Sequence, residues 1–332
     1  MNRGNGFWRT VMAFITGLFA LGCVFLIGLL FGGFVIFAGM MGADLENGLV
    51  TSTVREGSRS TIAIISVEGT IDSRQADYVQ RAVDRVIAEP YEAVVLRVDS
   101  PGGGVTASDQ VWYEVSRLKD AGIPVIASYG SIATSGGYYI SCASDFIMAE
   151  ETCITGSIGV QAQILTLGGL MDKVGIEPVT LAASGSPRKN VANDRYRQWT
   201  DEDRAEVIKM LDAAYEIFHR RVRDGRGHVI SDPAMIDALA DGSIYTAQQA
   251  TGNGLIDGVG YLEDAIAQAE KLAALAVGQA TVVQISEPPD FSPADLLFMR
   301  GDRSGKSGPL DAEAIRSLVN DLSTPRVNYL MR

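Results

Sequence analysis

The chain has 332 residues, 47% of them hydrophobic and 20% charged, with a formal net charge of −12. That composition can fill a sizeable core and excludes global disorder, and the length fits one large domain or two small ones. The acidic balance excludes the basic face that a nucleic-acid groove needs.

No charged residue occurs from Thr10 to Ala43. This run exceeds the roughly 20 residues that cross a bilayer and the roughly 7–15 apolar residues of a secretory signal. A single transmembrane anchor is therefore expected over 10–43. Arg3 and Arg9 precede it, and Asp44 and Glu46 follow it. The positive-inside rule then leaves residues 1–9 in the cytoplasm and carries the remainder across the membrane. Residues 44–60 are polar and turn-rich, and read as a linker.

From 61 to 286, short β-branched runs alternate with helical periodicity, the pattern of an α/β domain. Strands are predicted at Thr61–Val67, Ala93–Val98, Val125–Ser128, Phe146–Ala149 and Pro178–Leu181. Helices are predicted at Gln75–Ala88, Thr106–Asp120, Ser135–Ala143, Asp201–Val222, Ala247–Ala250 and Leu262–Val277. In the fourth, Val207, Leu211, Ala214, Tyr215, Phe218 and Val222 recur at helical spacing, with Thr200 and Asp203 placed as a capping box. Residues 287–332 read as a C-terminal tail, because 287–310 are rich in Pro, Gly, Asp and Ser without apolar period.

Cys23, Cys142 and Cys153 form no Cys-x-x-Cys pair, and His219 and His228 are the only histidines. An ordinary zinc site is not expected, no other cofactor is called for, and the cysteines read as small buried hydrophobes.

Two glycine-rich strand-to-helix junctions carry the candidate chemistry. Val98-Asp-Ser-Pro-Gly-Gly-Gly-Val105 matches neither a phosphate loop nor a dinucleotide fingerprint. It reads as a tight turn or as a nest of unshielded N–H groups. In Ser128-Tyr-Gly-Ser-Ile-Ala-Thr-Ser135-Gly-Gly-Tyr-Tyr139, Ser135 stands where a helix begins. It is either an N-cap or a nucleophile beside amides that favour an oxyanion. A nucleophile needs a base. Both histidines fit surface or half-buried roles better, and a lysine serves only if burial keeps it neutral. Lys189 differs from the other lysines by lying in the irregular segment Ser184-Gly-Ser-Pro-Arg-Lys-Asn190, either as a base or as an ordinary loop lysine.

The motifs Asp99-Ser-Pro-Gly-Gly-Gly, Ser135-Gly-Gly-Tyr-Tyr-Ile, Thr155-Gly-Ser-Ile-Gly-Val and Ser184-Gly to Lys189 occur in this order between about Thr61 and Tyr261. Together they resemble the signal peptide peptidase A family of bacterial Ser–Lys proteases, in its short, single-domain form. The resemblance implies a Clp protease/crotonase-like fold of repeated β–β–α units. It implies Ser135 as nucleophile, Lys189 as general base, Ser157 as the hydroxyl that orients the lysine, and amides of Gly102 or Gly103 with Gly136 as the oxyanion hole. The family often has Lys-Asp where this chain has Lys189-Asn190, and Pro187 appears in a lengthened loop.

The resemblance further implies a serine endopeptidase of the bacterial inner membrane whose catalytic domain is periplasmic or extracellular. Remnant signal peptides and other extended apolar peptides are its implied substrates. The implied assembly is a homo-oligomeric ring, each site drawing Ser135 and Lys189 from neighbouring subunits. A stomatin-associated protease of the same chemistry, a crotonase-like acyl-CoA enzyme and a catalytically silent membrane scaffold are the rival readings.

Overall fold

A computed structural model describes residues 48–57, 60–187, 189 and 194–288, helical positions 22, 25–28 and 31–32, and the backbone of 327–330. The chain divides into two compact units, 1–52 with 286–288 and 53–285 with 289–332. In the first, Phe25, Leu26, Ile27 and Phe31 are exposed on helical backbone. Of the predicted anchor 10–43, all positions other than 22, 25–28 and 31–32 lie outside the described residues. Among the described residues no helix is long and apolar enough to cross a membrane. Strand β1 (Val50–Arg55) runs across the boundary between the units.

The second unit is built on a mostly parallel sheet. Strands β2 (Thr61–Ile71), β3 (Ala93–Gly104), β4 (Val125–Thr134) and β5 (Phe146–Ala149) lie side by side in sequence order. β9 (Gly258–Val259) follows β5, and β10 (Thr281–Ser286) pairs with the other edge of β2. All these pairings are parallel, and such strands are expected to be apolar on both faces. They are: Ile62–Ile65, Ala93–Leu96 and Val125–Ala127 are all buried. The crossovers are α1 (Ser73–Ala88), capped by the Asp72 carboxylate accepting the Gln75 N–H at 3.0 Å, and α2 (Val105–Asp120). On one face Ile62, Ile64, Val95 and Ile126 pack with Ala265, Ile266 and Ala269 of α8 (Leu262–Leu272).

The predicted helix at Asp201–Val222 is α5 (Asp201–Arg226), with the expected Thr200–Asp203 capping box at its start. Two expectations need correction. Pro178–Leu181 is not a strand: no ladder reaches it, and Val179 and Leu181 are 74% and 90% exposed. The last helix stops at Leu272 rather than Val277, because Ala274 turns left-handed (φ 56°) and the Leu275 N–H donates back to the Glu270 carbonyl at 2.8 Å. The Glu270 carboxylate then accepts the N–H groups of Gly278 and Ala280, at 2.8 and 3.0 Å, and fixes the turn into β10. Sequence periodicity was silent on the short elements β6 (Ile154–Gly156), β7 (Gln161–Ala162), α6 (Pro233–Leu239) and β8 (Ile244–Thr246), whereas Met171–Gly175, which reads as a helix end around Lys173, closes α4 (Gly168–Val174). The expected tail contains a strand, β11 (Val327–Leu330).

One buried ion pair ties α5 to the sheet. Arg226 is 1% exposed and makes a fork to Asp257 at 2.9 and 2.8 Å, while its Nε donates to the Gly254 carbonyl at 2.9 Å. Asp257 also accepts the Ile147 N–H at 2.8 Å. Asp257→Ala would leave a guanidinium and an amide buried without their partner, so a loss of about 3–5 kcal/mol is expected. Denaturant unfolding of the two proteins measures it, and an unchanged midpoint would refute the role.

Candidate active site

Ser135 owes its position to a strand that changes partners. One edge of β4 keeps to β3 as far as Ala133 opposite Ser100, while the other pairs with β5 over Ile126–Tyr129 and with β6 over Ile132–Thr134. At the change, Asp99 Oδ1 accepts the Ser131 hydroxyl at 2.6 Å and the Ile132 N–H at 3.2 Å. Thr134 pairs with Gly156, and the next N–H, that of Ser135, donates to the Gly156 carbonyl at 2.7 Å. The serine that follows Gly156 is Ser157, held by its own N–H to the Ser243 carbonyl at 2.7 Å. The sheet register thus places the two serines at the ends of adjacent parallel strands.

Both leave the sheet in strained backbone. Ser135 (φ 53°) and Ser157 (φ 51°) are two of only three non-glycine residues with positive φ among those described, the third being Ala274. Such conformations cost on the order of 1–3 kcal/mol and persist only where the surroundings enforce them. Ser135 precedes α3 (Gly136–Ser141), the position of an N-cap, yet it does not cap. Thr200 and Thr246 show what capping looks like in this protein: extended backbone, and a side chain accepting an N–H three residues on. The Ser135 hydroxyl instead is buried and has no hydrogen-bond partner among the described residues.

The backbone of β3 closes on the residue that follows Ser135. A Cβ on Gly136 would lie 2.6 Å from Ser108 Oγ, 3.1 Å from the Gly103 nitrogen and 3.2 Å from the Gly102 Cα, so only glycine permits this approach. Ser100 shapes the opposite side: its hydroxyl donates to the Gly69 carbonyl at 2.6 Å and accepts the Gly102 N–H at 3.1 Å. The Gly102 amide is thereby engaged. Helix α3 is anchored by two buried tyrosines. Tyr138 donates to the Leu255 carbonyl at 2.8 Å and Tyr139 to Asp109 at 2.5 Å. A cleft of about 870 Å³ opens beside Ser157, with Leu211, Asp212, Tyr215 and Ile244 among its walls.

The structure therefore gathers Ser135, Ser157, Gly102, Gly103 and Gly136. Lys189 is exposed in a turn, its N–H donating to the Ser186 carbonyl at 3.1 Å, and the Ser135 hydroxyl makes no bond to it. Arg188 and Asn190 lie outside the described residues. Beyond this turn the chain is pinned by Arg197, whose fork to Asp203 spans 2.5 and 2.9 Å; this guanidinium, with the Thr200 N–H, holds the Asp203 carboxyl well below the usual carboxylate range. His219 bonds Asp237 at 2.8 Å on the outer surface of the unit. Burial pushes the Cys142 and Cys153 thiols up to about 12, in keeping with buried, unreactive cysteines. Ser100 and Asp99, which shape the site, stand inside the first glycine-rich motif; Ser108 carried no signal beyond a helical position.

The model of peptidase family S49 matches residues 117–276. A putative protease of Synechocystis sp. is 34% identical over 234 residues, which cover 70% of this chain and 82% of that protein. The chain belongs to peptidase family S49, the signal peptide peptidase A family. A putative signal peptide peptidase SppA of Enterococcus faecium is 36% identical over 193 residues, 58% of this S49 chain and 54% of its own length. The chloroplastic serine protease SPPA of Arabidopsis thaliana is 34% identical over 256 residues, 73% of this chain and 36% of its own. The chain thus spans about half of one of these longer relatives and about a third of the other. Among solved structures, a mutant of the 1510-N membrane-bound stomatin-specific protease aligns with a TM-score of 0.42 at 16% identity, covering 63% of this chain and 86% of its own. That likeness is too loose to carry an argument.

Proposed function

We propose that this S49 chain is a membrane-anchored serine endopeptidase of the Clp/crotonase-like type, with Ser135 as nucleophile and Lys189 as general base. One observation carries the reading: a buried serine hydroxyl in left-handed backbone, serving no cap, followed directly by Gly136, on whose Cα the Gly103 backbone closes. A hydroxyl in that setting is free to attack, and the amides of Gly103 and Gly136 can receive the charge that develops on the attacked carbonyl oxygen. Lys189, neutral, takes the hydroxyl proton as Ser135 adds to the carbonyl, and passes it to the leaving amine; water then hydrolyses the acyl-enzyme. Ser157 orients the lysine.

Lys189 is exposed in the single chain, so the burial that would keep it neutral has to come from assembly. Leu165, Leu170, Val174, Ile176, Val179 and Leu181, just ahead of it, are all more than half exposed. An apolar surface of this kind on the segment leading to Lys189 supports a homo-oligomer in which the lysine completes a neighbour's site. Extended apolar peptides, remnant signal peptides among them, suit a site whose walls offer backbone edges to pair with. A fluorophosphonate tests the nucleophile directly: mass spectrometry should find the adduct on Ser135 in the assembled protein. An acyl-CoA enzyme of the crotonase type would show none.

The membrane placement rests on the uncharged run 10–43 and on Arg3 and Arg9 before it. Alkaline phosphatase fused after residue 60 should be active and a cytoplasmic reporter at the same point silent. The opposite pattern would reverse the topology.

A further inference from the structure

The backbone of Ser135 is clamped on both sides, and the two clamps differ in kind. Its N–H donates to the Gly156 carbonyl at 2.7 Å, next to the last paired residues of β4 and β6. Its carbonyl accepts the Tyr139 N–H at 2.8 Å. That second clamp is only as firm as Tyr139 itself, because α3 has six residues and no side-chain cap. A helix so short does not hold its shape without tertiary contacts.

Tyr139 is fully buried, and its side chain is gripped by the long helices α2 and α5. Its hydroxyl donates to Asp109 Oδ1 at 2.5 Å. Asp109 directly follows Ser108, whose Oγ closes on Gly136, so α2 meets α3 at two points about one turn apart. From α5, Arg221 brings Nε to 3.4 Å from the same hydroxyl and Nη2 to 3.4 Å from the same Asp109 oxygen. Its guanidinium lies 3.4 Å from the centre of the Trp112 ring, one turn beyond Asp109 on α2, as a cation–π stack. Phe218, one turn before Arg221, meets the Tyr139 ring edge-on at 5.0 Å. The phenol thus gives one hydrogen bond and receives another while its ring is packed against Phe218, which fixes it in one place.

We infer that Tyr139 is a positioning residue for the reaction: braced by Asp109 and Arg221, it holds the Ser135 carbonyl and so maintains the strained turn that presents the Ser135 hydroxyl. This rests on the protease reading above for its effect on rate, but not for the clamp itself. Tyr139 touches no reacting atom. Without its hydroxyl the ring stays buried but loses its tie to α2 and α5, and the turn at Ser135 relaxes. A misplacement of about 1 Å costs up to about a hundredfold in rate. Binding of an extended peptide through its backbone does not depend on that turn, so the loss falls on kcat and spares KM.

The test is Tyr139→Phe in the full, assembled chain. The kcat for an extended apolar peptide should fall about ten- to a hundredfold at constant KM, and fluorophosphonate labelling of Ser135 should slow in step. The melting temperature should drop by only about 2–4 °C, the shift ordinary for one lost hydrogen bond. Amide exchange at Tyr139 should quicken as its bond to the Ser135 carbonyl loosens, while β2 and β3 stay protected. Asp109→Asn keeps an acceptor for the phenol and should retain most of the wild-type kcat, whereas Asp109→Ala should match Tyr139→Phe. The Asp109 side chain is 48% exposed, so a merely structural contribution would give both substitutions the same small effect. Wild-type kcat in Tyr139→Phe, a raised KM in place of a lowered kcat, unchanged exchange at Tyr139, or equal rates for the two Asp109 variants overturns the inference. Faster exchange at Tyr139 with no hydrolysis even by the unsubstituted chain would leave the clamp standing and sink the protease reading instead.

Discussion

Ser135→Ala is expected to lower peptide hydrolysis by about 10⁴-fold or more while the domain stays folded. Removing the oxygen removes the nucleophile, and a water molecule in its place has neither its position nor its activation. Stability should hardly change, because the hydroxyl caps no helix and bonds no partner among the described residues. Alanine also inherits the same strained backbone, anchored from outside by the Ser135 N–H to Gly156 and by the Tyr139 N–H to the Ser135 carbonyl. Glycine separates strain from chemistry: Ser135→Gly should be as inactive as alanine yet more stable by about 1 kcal/mol, since φ near 50° costs glycine nothing. Ser157→Ala should do less, taking one hydrogen bond from the lysine and costing about 1–3 kcal/mol of transition-state stabilisation. Steady-state kinetics and thermal unfolding on the three variants read both quantities. Near-normal turnover in Ser135→Ala would exclude this serine.

The parallel core was legible because its signal is local. Runs such as Ile62–Ile65 and Val125–Ala127 can satisfy both faces only when buried between helices. Thr200 and Asp203 announced α5 through a contact three residues long. Pro178–Leu181 misled for the same reason: its composition is that of a strand, but a strand also needs a partner edge, and residue order does not record where edges are. The site was legible in part. Ser135 and the glycines sit in compact motifs, so their types and spacing could be read. The sign that Ser135 is more than a cap lies in its φ angle and in a hydroxyl without a partner among the described residues, at a backbone position set by the β4–β6 register with a strand some twenty residues on. Ser108 reaches Gly136 only through the packing of α2 on α3. Strand β11 was missed altogether, because four residues in a polar tail have no period to detect, and their pairing is fixed by Gly102–Gly104 more than two hundred positions away.

Lys189→Arg is expected to be as inactive as Ser135→Ala, since a guanidinium keeps its proton at any usable pH and cannot accept the one on Ser135. The loss should not be one of folding, for Lys189 is exposed and, among the described residues, only its backbone is engaged, with Ser186. The more telling experiment uses two dead proteins. Ser135→Ala and Lys189→Ala subunits, each inactive alone, are expected to regain activity when assembled together. The wild-type Ser135 of one then meets the wild-type Lys189 of its neighbour. If the two populations mix at random in equal amounts, a site drawn from two chains is intact about one time in four, so recovery toward a quarter of the wild-type rate is the expected ceiling. The physical reason to expect sharing is the mismatch in burial: Ser135 is 1% exposed, while Lys189 and the apolar side chains from Leu165 to Leu181 face solvent. A neutral lysine and a buried hydroxyl can form a proton-transfer pair only in one common dry pocket, and a second subunit would close it. Mixed oligomers that form but stay fully inactive would place serine and lysine in the same chain. If Lys189→Arg instead kept the wild-type rate, the base would have to be sought elsewhere, and Lys173, at the end of α4, is the next candidate.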